Sequence, residues 1–201
     1  SQGIKELAPG NNFYTQKFKL NVSGLNTFDW KDSLTVMKFC SKCDCVALKG
    51  DSGFEDAACP KCNDPSWGVN RHPILKFTGA RSVMHSNDAA LDDSSEDRDS
   101  ENYIIKRHYM FRHTGATTSY AIRGVGFGIE FCNNMELYEV NYGMQMQSGS
   151  KVEVDNDTTV PQNGFVTCRY CGKSTPILSG ATLEDQHYKF CTHKDIAFAD
   201  D

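Results

Sequence analysis

Five of the chain's nine cysteines fall in the stretch FCSKCDCVALKGDSGFEDAACPKC, residues 39–62, and no other feature narrows the fold as much. Cys40/Cys43 and Cys59/Cys62 each have a two-residue gap, the spacing at which both thiolates of a tight turn point at one ion. Structural zinc takes four ligands in a tetrahedron, so two such turns on facing hairpins can organise a segment with little apolar core. Phe39 before the first turn, Pro60 and Lys61 inside the second, and KGDSG between them read as strand, turn and return, the pattern of a zinc ribbon. A site closed by four cysteines leaves no coordination position for a catalytic water. Cys45 is the leftover thiol. A one-residue gap to Cys43 spoils the turn, so Cys45 is expected to be a small buried hydrophobe.

The spacing recurs near the end of the chain. Cys168 and Cys171 are followed, after fifteen residues, by His187 and then Cys191, a three-cysteine-one-histidine zinc set. A three-residue gap on a helical turn brings His187 and Cys191 to one face, and the segment from Ala181 to Ala199 is the stretch of the chain with helical character. His193 is the rival for the histidine position. Two glycine motifs are decoys. Gly172-Lys173-Ser174-Thr175 copies the end of a phosphate-binding loop, but Thr167 occupies the position of its first glycine and Pro176 blocks the helix that should follow. Gly124, Gly126 and Gly128 have no helix after them and predict a bulge or tight hairpin instead of a dinucleotide site.

An odd number of cysteines in close pairs suits thiolate metal sites in a reducing compartment better than a disulfide framework. The first residues, SQGIKELAPG, lack the basic start and apolar middle of a signal peptide, and no long apolar window occurs. A cytoplasmic location without a membrane partner is the expectation. The net charge of -5 is concentrated: residues 86–101 hold seven acids and one base, a net of -6, which leaves +1 for everything else. Charge therefore neither demands nor forbids a nucleic-acid partner.

That acidic tract has no aromatic or β-branched residue to offset its ordering entropy and reads as a disordered loop. Residues 147–163 read as a second, polar loop. Elsewhere, short runs rich in Val, Ile, Thr, Tyr and Phe alternate with Gly, Asn, Asp and Ser, and predict a mainly β, antiparallel fold with little helix. The expected segments are 1–85, N-terminal strands with the four-cysteine ribbon; 102–146, an antiparallel β segment; and 164–201, the three-cysteine-one-histidine knuckle. In IIKRHYMFRH a strand would place Lys106, His108 and Arg112 on one face and Arg107 and His113 on the other, candidates to touch a phosphate backbone. No Ser/His/Asp set, paired carboxylates or Cys-His nucleophile stands out.

Taken together, ELAPGNNFYTQKFKLNVSGL, the four-cysteine turns, GFGIEFCNNMELYEVNYG and GFVTCRYCG with its later histidine and cysteine resemble one known region. This is the C-terminal zinc-binding region of DEAD/DEAH-box helicases of the MrfA type, including antiphage defence helicases of the Druantia and DISARM kinds. The resemblance spans most of residues 4–195. It implies two zinc ions, held by Cys40, Cys43, Cys59 and Cys62 and by Cys168, Cys171, His187 and Cys191. It also implies a region packed beside a superfamily 2 motor that translocates on DNA. This chain carries no full Walker A loop and no DEAD or DEAH string. It is expected to be a non-catalytic piece of a longer helicase, with the rest of that chain, DNA or another defence-system subunit as partners. A zinc-ribbon adaptor for protein partners is the alternative expectation.

Overall fold

The computed structural model describes residues 2–14, 18–68, 70–82, 103–111, 118–132, 134–144, 150–155, 158–162, 164–176 and 186–193. The chain is mainly antiparallel β. In order, a short helix α1 (Gln2–Glu6) precedes β1 (Asn12–Tyr14) and β2 (Lys19–Leu25), and a one-turn helix α2 (Trp30–Ser33) leads into β3 (Leu34–Phe39), β4 (Val46–Leu48), β5 (Arg71–Leu75) and β6 (Ala80–Ser82). Then come β7 (Tyr103–Phe111), β8 (Thr118–Ala121), β9 (Gly128–Phe131), β10 (Met135–Met144), β11 (Ser150–Asp155), β12 (Thr158–Gln162), β13 (Phe165–Thr167) and β14 (Ser174–Pro176). No helix among the described residues is long and apolar enough to cross a membrane. The acidic tract at 86–101 lies outside the described residues except for its sequence.

The chain forms two compact units, each built from separated stretches: residues 1–35, 74–106 and 141–201 make one, and residues 36–73 and 107–140 make the other. The N-terminal strands thus belong with the C-terminal knuckle, and the four-cysteine segment belongs with the middle of the chain. In the first unit β1, β2 and β6 form an antiparallel sheet, β13 pairs with β14, and β11 pairs with β12. In the second, β3 lies between β4 and β5, and β8 and β9 form a hairpin. β7 and β10 pair with each other in a further two-stranded sheet.

Two expectations are corrected. Residues 147–163, read as a polar loop, contain the β11/β12 hairpin, with Val152 opposite Val160 and Lys151 opposite Pro161. Val152, Val154, Thr158, Thr159 and Val160 are β-branched residues, and their strand preference outweighs the polarity of their neighbours. In the C-terminal segment read as helical, the described residues 186–193 make turns, with Cys191 N–H donating to the Tyr188 carbonyl at 2.8 Å. Residues 181–185 and 194–199 of that segment lie outside the described residues. The Gly124 region is the tight hairpin that its glycines predict: Ile122 N–H donates to the Phe127 carbonyl at 3.1 Å and Gly124 has φ +82°.

The residues behind the LAPGN and NYG strings meet inside the first unit. Asn11 is buried and its Nδ2 donates to the Lys5 carbonyl at 2.7 Å, while Asn141 Nδ2 donates to the Ile4 carbonyl at 3.0 Å. Gly143 has φ +85°, and a Cβ there would sit 2.6 Å from the Gly164 carbonyl oxygen, so this approach requires glycine.

Candidate metal centres

Three of the turns that carry cysteine pairs have one backbone form. After each pair the next residue, Asp44, Asn63 or Gly172, takes the left-handed conformation, with φ of 56°, 60° and 76°. Its N–H donates to the carbonyl of the first cysteine, at 3.2 Å for Cys40, 2.8 Å for Cys59 and 2.7 Å for Cys168. The first cysteine's own N–H donates one residue further on, to Cys45, Asp64 and Lys173, at 2.8, 2.9 and 2.8 Å. Aspartate, asparagine and glycine are the residues that best tolerate this conformation. The string C-x-x-C-[D/N/G] carries that information, and reading the pairs for ligand spacing alone passes over it.

In the first centre β3 and β4 deliver Cys40 and Cys43, with Phe39 opposite Val46 in register, and Cys59 and Cys62 return on the second turn. The Cys40 and Cys62 sulfurs are 3.5 Å apart and those of Cys43 and Cys59 are 3.6 Å apart. In the second centre Cys168, Cys171, His187 and Cys191 are all buried, and the Cys168 and Cys191 sulfurs are 3.9 Å apart. In each group the four ligand atoms lie within 4.8 Å of one another. Sulfurs about 2.3 Å from a central zinc at tetrahedral angles lie roughly 3.8 Å apart, so both donor sets fit a single tetrahedral ion. His187 adds a second sign. Its Nδ1 is buried with no hydrogen-bond partner among the described residues, a position that costs free energy and that a bound cation would relieve.

Electrostatics point the same way. Burial pushes the Cys40 and Cys168 thiols up to about 11, and Cys43 higher still, because a thiolate in these apolar pockets lacks a neutralising charge. Cys59 and Cys171 go the other way. Burial raises them, but the backbone N–H groups of Cys62 and Lys61, and of Tyr188 and Lys173, together with hydrogen bonds from the neighbouring cysteine thiols, outweigh it at the two sulfurs. A divalent cation would supply the charge that lets all the sulfurs of a centre ionise together.

Cys45 is no ligand. It is buried in the cluster of Cys40, Ala47, Phe54, Cys59 and Trp67, and burial pushes its thiol up to about 12. His193 is also outside the ligand set. It is exposed and stacks flat on Tyr170, with ring centroids 3.7 Å apart and an interplanar angle of 7°.

Set against family models, curated proteins and solved structures, the chain has no match. What it does must be read from these two centres and the surfaces around them.

The candidate phosphate contacts on β7 are dispersed. Arg107 is exposed and pairs with Glu139 at 3.0 Å, and Lys106 is half-buried. His108 is enclosed, 3% exposed with its ring edge-on to Phe39 at 4.9 Å, so it is not presented to a phosphate as the strand alternation suggested. The core around Phe39 draws the imidazole inward. Arg112 and His113 lie outside the described residues.

Proposed function

We propose that this chain is a non-catalytic zinc-binding accessory module of a larger superfamily 2 DNA helicase of the MrfA type. It would brace the motor and contact DNA or a partner subunit, in bacterial antiphage defence or DNA repair. One observation carries the reading: each centre brings four ligand atoms within 4.8 Å of one another, a complete structural zinc set with no position left for substrate. Zinc bound in this way contributes folding free energy directly. The interlock of Asn11, Asn141 and Gly143 supports the reading for the first unit, because these residues carry the resemblance and also tie distant segments of that unit together.

The test is ATP turnover by the zinc-loaded chain with and without DNA, beside circular dichroism before and after chelation. The expected result is no turnover in either case and loss of β signal on chelation. DNA-stimulated turnover, or a fold indifferent to chelation, contradicts the reading.

A protein-interaction adaptor has one observation in its favour. On the β8/β9 hairpin Tyr120 pairs with Ile129 and Thr118 with Phe131, and Tyr120, Ile129 and Phe131 are about half exposed or more. Glu130, on the opposite face, pairs with Lys61 of the second cysteine turn. An uncharged apolar face of this kind marks an interaction site. The adaptor reading requires that salt-dependent DNA affinity be absent.

A further inference from the structure

The two ligand segments of the second centre differ from those of the first in what they show to solvent. Among the described residues of this centre, 164–176 and 186–193, the charged side chains are Arg169, Lys173 and Lys189, while Glu184, Asp185 and Asp195 stand in the sequence just outside them. They also hold exposed aromatic rings. Tyr170, 48% exposed, stacks on His193, and Phe190, 69% exposed, lies over Tyr188 with centroids 5.2 Å apart and an interplanar angle of 18°. Tyr170 sits inside the Cys168–Cys171 turn and Phe190 immediately precedes Cys191, so the backbone that carries the ligands also carries both rings. Tyr188 is pinned from beneath by a 2.8 Å hydrogen bond to Ser23.

The cations are placed as well. Arg169 lies over the Trp30 ring at 4.7 Å, and Lys173 Nζ donates to the His187 carbonyl at 3.4 Å. Lys189 is exposed, with no ion pair among the described residues. The first centre offers nothing comparable. Its turns carry Asp44 and Asp64 beside Lys42 and Lys61, Lys61 pairs with Glu130, and its aromatics Phe39, Phe54 and Trp67 are buried, with Tyr109 and Phe111 partly so.

We infer that the second candidate centre is a binding surface for single-stranded nucleic acid, in which bases stack on Tyr170 and Phe190 while Lys173 and Lys189 neutralise phosphates. Unstacked bases have exposed π-faces, and aromatic platforms beside cations are the sequence-tolerant way to hold them. A duplex hides those faces within its own stack, so it offers the aromatic rings little. A zinc-fixed turn presenting an aromatic ring is a known form of such a platform. This inference rests on the accessory-module reading and names the ligand and the surface that this reading leaves open.

The experiment uses the zinc-loaded full chain and fluorescence anisotropy with labelled oligo-dT and oligo-U of about 20 nucleotides and a matching duplex, across a salt series. The wild-type chain should prefer single strands to duplex, and the two homopolymers separate DNA from RNA as the source of the ligand. Tyr170→Ala combined with Phe190→Ala should weaken single-strand binding by about tenfold or more. Tyr170→Phe, which keeps the ring, should restore most of the loss at that position. Lys189→Gln should flatten the dependence of log affinity on log salt by about 0.7. Zinc content of each variant verifies that the centre remains assembled.

The inference is overturned if the double alanine variant keeps its zinc and binds within about twofold of wild type. It is overturned equally if the wild-type chain does not bind single strands at low salt. Should Arg107→Gln, and not the aromatic pair, abolish binding, the contact lies on β7, and the accessory-module reading stands while this inference falls. Failure of that reading shows separately, as ATP turnover or chelation-resistant folding.

Discussion

The two candidate metal centres share a C-x-x-C turn and a fifteen-residue gap, yet they are embedded in opposite ways. Around the first, Trp67 and Phe54 are 0% and 2% exposed and pack with Cys40, Cys45, Ala47 and Cys59 in one apolar cluster. The Trp67 indole N–H donates to the Gly53 carbonyl at 3.0 Å, which gives the buried ring its polar partner. Around the second, the buried hydrophobic cluster is Cys168, Cys171, Cys191 and Tyr188, three ligands and one ring. What replaces the missing core is backbone stitching. Leu25 N–H donates to the Gly172 carbonyl at 2.8 Å, and Gly24 bridges Lys173. A ligand motif therefore fixes a turn but not how that turn is stabilised. One centre is packed in apolar burial, whereas the other has its four ligands and a strand from the far end of the chain.

The largest expected effect is on the second centre. Cys171→Ser should remove one zinc per chain and unfold the knuckle, since structural zinc supplies on the order of 10 kcal/mol in small domains. The two tryptophans report separately, because Trp30 lies in the unit of the second centre and Trp67 in that of the first. In a Trp67→Phe background, Trp30 fluorescence should change on Cys171→Ser; in a Trp30→Phe background, Trp67 fluorescence should not. Equal response of both reporters would erase the contrast.

Next in size is Trp67→Ala, with a cost of about 3–5 kcal/mol from cavity formation, read by denaturant titration. It should leave the second centre's zinc in place. Gly172→Ala follows, with a loss above roughly 2 kcal/mol: it imposes φ +76° on a residue with a side chain and drives Cβ to 2.3 Å from the Leu25 carbonyl oxygen. Asn63→Gly at the matching position of the first centre should be nearly neutral, because asparagine already adopts that conformation at little cost. The smallest effect is that of Ser23→Ala, about 1 kcal/mol from the lost bond to Tyr188, seen as a modest shift in thermal midpoint.

The ligands were legible because metal chemistry is local. C-x-x-C fixes which sulfurs can share an ion within a few residues, and the β-rich runs between show their strands by composition. Cys45 was legible for the same reason, since its spacing fits no turn. What the chain does at long range was hidden. Nothing in residues 19–25 announces that Leu25 will bond Gly172, or that Ser23 will meet Tyr188 165 residues away. The interleaved units follow from such contacts, which carry no spacing rule. His108 shows the limit of face counting: alternation assigns it a side of β7, but only Phe39, from another strand, decides that this side is covered. Likewise, polar neighbours masked the Val and Thr residues that build β11 and β12.

The most direct test of two closed structural centres is zinc stoichiometry by native mass spectrometry on protein purified without added metal, with free thiols counted after chelation. Two ions per chain, with all nine cysteines recovered as thiols, is the expected result. One ion, or thiols lost to disulfides among Cys168, Cys171 and Cys191, would contradict it.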